Sequence, residues 1–363
     1  MASIVRDERG NGSWIVRYRD NAGKQRKKSF ARKMDAQRWM VQSQSELHRG
    51  AFVDPQRGKM TVSEYAPSWQ QGLAHLKVST RERYLGILLT HIIPVWGGWQ
   101  LAKIATNDVN SWISTLISDG LRPGSVRQTH RVMSLLLDSA LKDGRVARNP
   151  AKGASLPRAV REEVKYLSPA ELRAFANACG KDDLVPLILA TTGLRFGELA
   201  ALRVKSFDAI RRRLVISESV TDVAGKMVFS TPKTHQSRIV PVPASIALRV
   251  ESLCVGRSPE DLLFTSPKGS VLRLRNWRRR VFDPAVAAIG RIDLSPHDLR
   301  HTAASLAIAS GANVKVVQKM LGHSSAAMTL DIYAALFPDD LDSVSTAMED
   351  LLGGTLVAQD VEK

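Results

Sequence analysis

The chain has 363 residues, 44% of them hydrophobic, and its 52 lysine and arginine residues against 35 acidic residues give a net charge of +17. This length predicts two or three domains, and the lack of any run of about 18 apolar residues argues against a membrane-spanning protein. The first residues lack the apolar core of a secretion signal, and Cys179 and Cys254 lack metal-ligand spacing, so we expect a cytoplasmic protein with reduced thiols.

The positive charge is concentrated in the first part of the chain. Residues 1–60 carry a net charge of +8 and residues 61–160 a net charge of +6, whereas residues 161–350 are closer to balance. Lysine and arginine clustered in this way indicate DNA binding, with an affinity that falls steeply as salt rises. Solubility alone is the alternative explanation.

Residues 1–58 are predicted to form a small strand-rich unit. Residues 13–19 and 24–30 have strand composition and flank a turn at residues 20–23, which predicts a basic hairpin. A helix over residues 34–48 would close the unit, with Trp39 and Leu47 in its core. The alternative is a solvated hairpin without a ligand. The candidates for DNA contacts are Arg17, Arg19, Lys24, Arg26, Lys27 and Lys28.

Residues 59–150 are predicted to be helical, after a linker at residues 50–59. The patterns Thr61-Val-Ser-Glu64 and Ser79-Thr-Arg-Glu82 are typical of capping boxes that begin helices. Further helices are predicted over residues 106–119 and 125–142, followed by a second linker at residues 149–157. The candidates for DNA contacts here are Arg81, Arg83, Arg127, His130 and Arg131.

Residues 160–353 are predicted to form a mixed domain, which precedes a tail at residues 354–363. The capping box Ser168-Pro-Ala-Glu171 begins it, and a helix over residues 184–191 ends at Gly193. Short strands are predicted near residues 213–217, 227–230 and 237–242, and the remainder is predicted to be helical to about residue 352.

An ordered series of reactive residues runs through this domain. Cleavage of a phosphodiester needs charge neutralised on the nonbridging oxygens, a nucleophile, and a proton for the leaving oxygen. Two planar guanidinium groups suit the phosphate, and an imidazole can accept a proton or donate to the phosphate near neutral pH. His297 and Arg300 are three residues apart, so both should face one side of a helix that begins near Pro296. The series is Arg195, Lys233, His297, Arg300, His323 and Tyr333.

Tyr333 is the candidate nucleophile because it is the tyrosine that follows the charged series. Tyr18, Tyr65, Tyr84 and Tyr166 all precede it. A phenol has a pKa of about 10, so nearby cations must stabilise the phenolate before it can attack. A buried core tyrosine is the alternative interpretation.

The segments that carry these residues resemble the motifs of the tyrosine recombinase family, the lambda-type integrases. They read Thr-Gly-Leu-Arg195-Phe-Gly-Glu198, Thr-Pro-Lys233-Thr-His, His297-Asp-Leu-Arg300-His301, Leu-Gly-His323 and Asp-Ile-Tyr333. The resemblance implies a site-specific DNA recombinase, such as a phage or mobile-element integrase. It would cleave and rejoin attachment-site DNA through a 3′-phosphotyrosine, without metal, ATP or other cofactor, to integrate and excise a mobile genome.

The resemblance also implies a multidomain fold, mainly α with small β-sheets. Residues 1–58 would be an arm-type DNA-binding ββ(β)α domain, residues 59–150 a helical, SAM-like core-binding domain, and residues 160–353 an α+β catalytic domain. The implied partners are double-stranded DNA with core-type and arm-type sites, a homotetramer that resolves a Holliday junction, a host DNA-bending factor and an excisionase, in the nucleoid of a bacterial host.

Three site residues take roles from the resemblance. Lys233, between two strand-like runs at a predicted hairpin tip, would protonate the departing 5′ oxygen. His323 matches the position where the family carries His or Trp, and would hydrogen-bond the phosphate or orient its neighbours. Glu198 matches a supporting acidic position.

The end of the chain predicts an amphipathic helix that starts near Pro338. Its apolar stripe either joins the core of the domain or, as the family implies, docks on a neighbouring protomer. The residues of this stripe are Leu341, Val344, Ala347, Met348, Leu351 and Leu352.

Other functions remain open at this point. A type IB topoisomerase would use similar residues to relax supercoils, and a DNA-binding regulator could have lost catalysis. His297 and His301 have the i, i+4 spacing of a zinc protease, but the acid between them is aspartate and no third ligand is evident, so no metal site is expected.

Overall fold

The computed structural model describes residues 3–6, 12–19, 25–48, 57–158, 163–231, 237–336, 345–346 and 348–350. Contacts divide the chain into two compact units, Met1–Arg161 and Glu162–Lys363. Within the described ranges no helix is both long enough and apolar enough to cross a membrane. These residues are mostly helical with small antiparallel sheets, which confirms the predicted fold class.

The first unit begins with an antiparallel sheet in the order β1-β2-β3 and a helix. Its elements are β1 (Ser3–Arg6), β2 (Trp14–Arg19), β3 (Gln25–Phe30) and α1 (Lys33–His48). The two hairpin strands and the helix are confirmed, and β1 is an additional edge strand. Tyr18 is buried with its ring centroid 5.0 Å from that of Trp39, so α1 covers one face of the sheet. The turn at residues 20–23 and the side chain of Leu47 lie outside the described part.

Helices with their own apolar core make up the rest of the first unit. They are α2 (Val62–Gly72), α3 (Val78–Ile87), α4 (Ile93–Trp96), α5 (Thr106–Ser118) and α6 (Pro123–Lys142). The capping box at the start of α2 is confirmed, because Glu64 N donates to Thr61 Oγ1 and Thr61 N donates to the Glu64 carboxylate.

One local prediction in this unit is wrong, and another holds only in part. Ser79 does not cap α3, because Thr80 N and Arg81 N already donate to the Lys77 carbonyl and the helix begins at Val78, with Lys77 as its N-cap. The predicted second linker starts as a packed turn, Pro150–Gly153, in which Ala151 is fully buried. Asn149 fixes this turn by donating to Ser134 O and accepting from Ala151 N, both at 2.9 Å.

The second unit has a separate core. Its helices are α7 (Pro169–Cys179), α8 (Leu184–Thr192), α9 (Phe196–Leu199), α10 (Ala244–Cys254), α11 (Leu274–Trp277), α12 (Asp283–Ala288), α13 (Asp298–Ala309), α14 (Val314–Leu321) and α15 (Ala326–Tyr333). The capping box of α7 at Ser168 and the end of α8 at Gly193 are confirmed. Because α8 is apolar throughout and lies against α13, this helix pair forms the centre of the unit.

The strands of the second unit form two small sheets. The strands are β4 (Phe207–Asp208), β5 (Arg213–Ile216), β6 (Ser219–Val223), β7 (Lys226–Ser230) and β8 (Arg238–Pro241). One sheet has the order β4-β5-β8, and β6 pairs with β7 alone among the described strands. The predicted hairpin tip at Lys233 is therefore wrong: β7 and β8 belong to different sheets, because the unpredicted strand β6 takes β7 as its partner through the Ala224-Gly225 turn.

Most of the predicted C-terminal helix lies outside the described residues. Leu341, Val344, Ala347, Leu351 and Leu352 belong to that undescribed part. Met348 is helical and exposed.

Candidate active site

Gly193 directs the chain from α8 into the site. Its φ of +68° is in the left-handed region, which glycine adopts without the penalty of a Cβ atom. A Cβ atom here would lie 2.6 Å from Leu321 Cδ2, so glycine also permits the close approach of α14. The turn places Arg195 at the N-cap of α9, where its side chain is 30% exposed.

Glu198 joins two arginines at the base of the site. Its carboxylate is 1% exposed and accepts from Arg195 Nη1 at 2.9 Å and from Arg238 Nη1 and Nη2 at 3.0 and 2.6 Å. Burial alone would raise the pKa of Glu198, but the bonds from Arg238 and Arg195 outweigh it and hold the pKa below its ordinary value. The carboxylate therefore stays ionised and fixes the side chain of Arg195.

Arg300 is buried beneath the same region. It is 3% exposed and donates from Nη1 to Gly193 O at 2.6 Å and from Nη2 to Leu321 O at 2.5 Å. Burial, together with the charges of Arg195 and Arg238, lowers the pKa of Arg300 to about 9. The guanidinium thus remains charged at neutral pH and links the ends of α8 and α14.

His323 follows the left-handed Gly322, which ends α14 as predicted. Its Nδ1 lies 2.9 Å from Thr329 Oγ1. Burial and the charges of Arg300 and Arg195 lower the pKa of His323 to about 4, so the ring is neutral at pH 7. A neutral ring held in this way can donate one hydrogen bond into the site from its other nitrogen.

Tyr333 is the last residue of α15 and is 1% exposed. Its Oη lies 2.6 Å from His301 Nδ1. Burial raises the pKa of Tyr333 to about 12, although Arg300 acts in the opposite direction. The hydroxyl is therefore protonated in this structure.

His297 and Lys233 complete the predicted series. His297 occupies the N-cap of α13, is exposed, and has its ring centroid 5.2 Å from that of His301. His297 therefore lies at the start of the helix that carries the buried Arg300. Lys233 lies outside the described residues.

The second unit thus brings Arg195, Arg300, His323 and Tyr333 together. The charge of Arg195 acts to lower the pKa of Arg300 and of His323, and the charge of Arg300 acts to lower the pKa of His323 and of Tyr333. Sequence reasoning missed Arg238 and His301 as members of this site. Arg238 could have been recognised in the sequence as a charged residue at the start of the apolar strand β8. The spacing of His297 and His301 indicates only a possible zinc ligand pair, and in the described part of the chain no group of three or more potential ligands could hold a metal ion.

Alternation in the N-terminal sheet divides its predicted DNA contacts between two faces. Arg17 and Lys27 are directly paired and exposed on the outer face. Arg26 and Lys28 pair with Tyr18 and Val16 on the face that α1 covers, and Lys28 Nζ lies 4.7 Å from the Trp39 ring centroid. The side chain of Arg19 and the whole of Lys24 lie outside the described part.

The helical part of the first unit presents a basic groove of about 540 Å³, whose lining includes Arg127 and Arg131. Arg127 Nη1 donates to Pro157 O at 3.0 Å. Arg83 is exposed and Arg81 is half-buried on α3. His130 also lines this groove, but it is mostly buried and its Nε2 lies 2.8 Å from Ala151 O.

Known proteins resemble the chain along most of its length. Residues 165–339 match the Phage integrase family. The integrase of Mycobacterium phage D29 is 29% identical over 346 residues, 90% of each chain. The tyrosine recombinase XerA of Saccharolobus solfataricus is 30% identical over 246 residues, 66% of this chain and 77% of its own.

Solved structures share the fold. The Tn1549 transposon integrase in complex with a circular intermediate DNA superposes with a TM-score of 0.67 and 22% identity, covering 80% of this chain and 99% of its own. A lambda integrase tetramer bound to a Holliday junction gives a TM-score of 0.59 and 17% identity, covering 89% of this chain and 96% of its own.

Proposed function

The chain belongs to the phage integrase family of tyrosine recombinases, and we propose that it cleaves and rejoins attachment-site DNA through a 3′-phosphotyrosine formed at Tyr333. The observation that carries this proposal is the grouping of one buried tyrosine with two arginines and a neutral histidine in one unit. Covalent attachment would conserve the energy of the phosphodiester, so rejoining would need no ATP.

The arginines would hold the scissile phosphate. Arg300 carries a fixed positive charge between the ends of two helices, and Arg195 is partly exposed beside it. Preorganised donors of this kind stabilise charge that develops on the phosphate oxygens without reorganising during the reaction. His323 would donate a further hydrogen bond to the phosphate.

Protons would move through the remaining residues of the series. We assign Lys233 to protonate the departing 5′ oxygen and His297 to contact the phosphate from the exposed N-cap of α13, whose partial positive charge favours an anion. Glu198 would support catalysis by fixing Arg195.

Assembly on DNA would involve both units. Residues 1–58 would bind arm-type sites and the helices of residues 59–150 core-type sites, because both carry the excess positive charge. We propose a homotetramer on a Holliday junction, as in the lambda integrase structure, with the C-terminal segment docked on a neighbouring protomer. A host DNA-bending factor and an excisionase would set direction.

Covalent capture tests this function. Purified protein is mixed with fragmented phage and host DNA, denatured in detergent, and the attached DNA is sequenced, with Tyr333→Phe as the control. Attached DNA that disappears in the variant would identify both the nucleophile and the site. Normal DNA binding without attachment, also on suicide substrates, would instead favour a catalytically silent DNA-binding regulator.

A further inference from the structure

We propose that His301 is the base that accepts the proton of Tyr333 when the phenol attacks phosphorus, an assignment that rests on the proposed function. His301 Nδ1 lies 2.6 Å from Tyr333 Oη, within the range needed for direct proton transfer. It is therefore a catalytic residue that none of the sequence motifs singled out for this role.

The position of His301 in α13 supports this assignment. It follows Arg300 directly, so the helix that fixes the buried arginine also fixes the imidazole. Its ring centroid lies 5.6 Å from that of Tyr333 at an interplanar angle of 60°. His297, the other candidate base, is exposed and has its ring against His301.

Titratable and charged groups on the neighbouring elements lie around the imidazole. His297, Asp298 and Arg300 lie on or next to α13, Tyr333 lies on α15, and His323 lies between α14 and α15. Burial, followed by the effect of His297, lowers the pKa of His301 to about 4, against an opposing effect of Asp298. The ring is neutral at pH 7, so with its proton on Nε2 it offers a lone pair at Nδ1 to the phenol.

The proton stays on Tyr333 at rest, because the pKa of Tyr333 is about 12 and that of His301 about 4. Transfer must accompany attack. The Tyr333 Oη–P bond forms while the P–O5′ bond breaks, the phenol proton moves to His301 Nδ1, and the 5′ oxygen takes a proton from Lys233. An anionic phosphate beside the ring favours the imidazolium. Rejoining reverses each transfer, so charge and protons balance.

The test measures single-turnover cleavage of a suicide DNA substrate by the full chain. His301→Asn keeps a polar atom near the position of Nδ1 but removes the base, and we expect cleavage to slow about 100-fold or more. Thr302→Val is the matched control. Thr302 follows His301 on α13, is fully buried, and accepts a hydrogen bond from Leu167 N at 3.0 Å. Removing its hydroxyl should lower the stability of the protein but leaves the hydrogen bond between His301 and Tyr333 in place.

A second measurement separates proton transfer from positioning. Each protein is prepared with 3,5-difluorotyrosine at position 333, whose phenol is more acidic and needs a base less. We expect this replacement to restore the cleavage rate of His301→Asn by about 10-fold while changing the wild-type rate far less. DNA binding of every variant is measured alongside to establish that it is folded.

The outcomes are distinct. Slow cleavage that fluorination rescues supports His301 as the base that accepts the Tyr333 proton. Slow cleavage without rescue would mean that His301 only positions Tyr333, and would overturn the proposal. A wild-type rate in His301→Asn also overturns it, while the recombinase function stands. If the wild-type protein forms no covalent adduct on bound substrate, the proposed function falls and this inference with it.

Discussion

Glu198 accepts two parallel hydrogen bonds from Arg238, at 3.0 and 2.6 Å, in a position where the carboxylate is 1% exposed. Arg238 also donates from Nε to Met320 O at 3.0 Å, so this pair connects β8 and α14 beneath Arg195. Arg195, the proposed phosphate-binding arginine, is 30% exposed and is thus held by an ion pair that is almost fully buried.

Glu198→Gln should destabilise the protein strongly. It leaves the buried charge of Arg238 without its partner, and breaking a buried pair in this way costs about 3–5 kcal/mol. Urea unfolding measures the loss. The control is Glu218→Gln, at a partly exposed glutamate 3.3 Å from Arg203, and this variant should unfold nearly like the wild type. Equal behaviour of the two variants would contradict the structural role of Glu198.

Gly193→Ala should lower the free energy of unfolding by more than the strain of a left-handed φ angle alone would. The new Cβ atom would lie 2.6 Å from Leu321, which is fully buried, so we expect a further loss of about 1–3 kcal/mol from overpacking. Gly290→Ala is the matched control, because Gly290 has a φ of +71° and open space around the same position. Equal unfolding free energies for the two variants would exclude the clash.

Arg300→Lys should keep the charge but lose catalysis. A lysine cannot span the Gly193 and Leu321 carbonyls with a planar fork, so we expect cleavage to fall about 100-fold to 1000-fold with DNA binding retained. Arg291→Lys controls for the substitution itself, since Arg291 lies in the same unit and bonds to Glu171 and Asp293. Loss of cleavage in both variants would point to a nonspecific effect.

Paired substitution of Arg17 and Lys27 by glutamine should weaken DNA binding and its dependence on salt. Each lost phosphate contact reduces the slope of log affinity against log salt by about 0.9, so the double variant should bind with a slope shallower by about 1.8. Binding is measured over a salt series. Lys28→Gln, on the face covered by α1, should leave the slope unchanged; the reverse result would assign the DNA-binding face to the other side of the sheet.

Stability should fall between pH 6.5 and about 4. His301 and His323 have a pKa of about 4 in the folded protein against an ordinary 6.5, so the unfolded chain takes up their protons first as pH falls. The stability that the two neutral histidines contribute to the folded protein is fully present above pH 6.5, and it is lost as the pH falls through about 4. It is on the order of 1–3 kcal/mol for each residue.

Unfolding measured over this pH range tests the assignment. The double variant His301→Asn/His323→Asn should show a flatter profile, whereas His75→Asn, at an exposed position of the first unit, should keep the wild-type slope. A wild-type slope in the double variant would assign the acid sensitivity to other groups.

Local signals in the sequence predicted most helices and strands. Capping boxes at Thr61 and Ser168 and the left-handed glycines 193 and 322 act over a few residues, so their effect is visible without the fold. The same reasoning failed at Ser79 and at the Lys233 hairpin. A cap depends on which backbone carbonyl first accepts a helical bond, and strand pairing depends on which partner is available.

The sequence by itself determined the family, the order of the reactive residues and the identity of the candidate nucleophile, because these depend on residue type and spacing. Tertiary structure alone decided which side chains meet. It joined Arg238 to Glu198 across 40 residues of chain and His301 to Tyr333 across 32. It also buried Arg300 and left His297 exposed, although they stand three residues apart. Such contacts arise from the packing of distant helices, and the burial that accompanies them sets the charge state of each group.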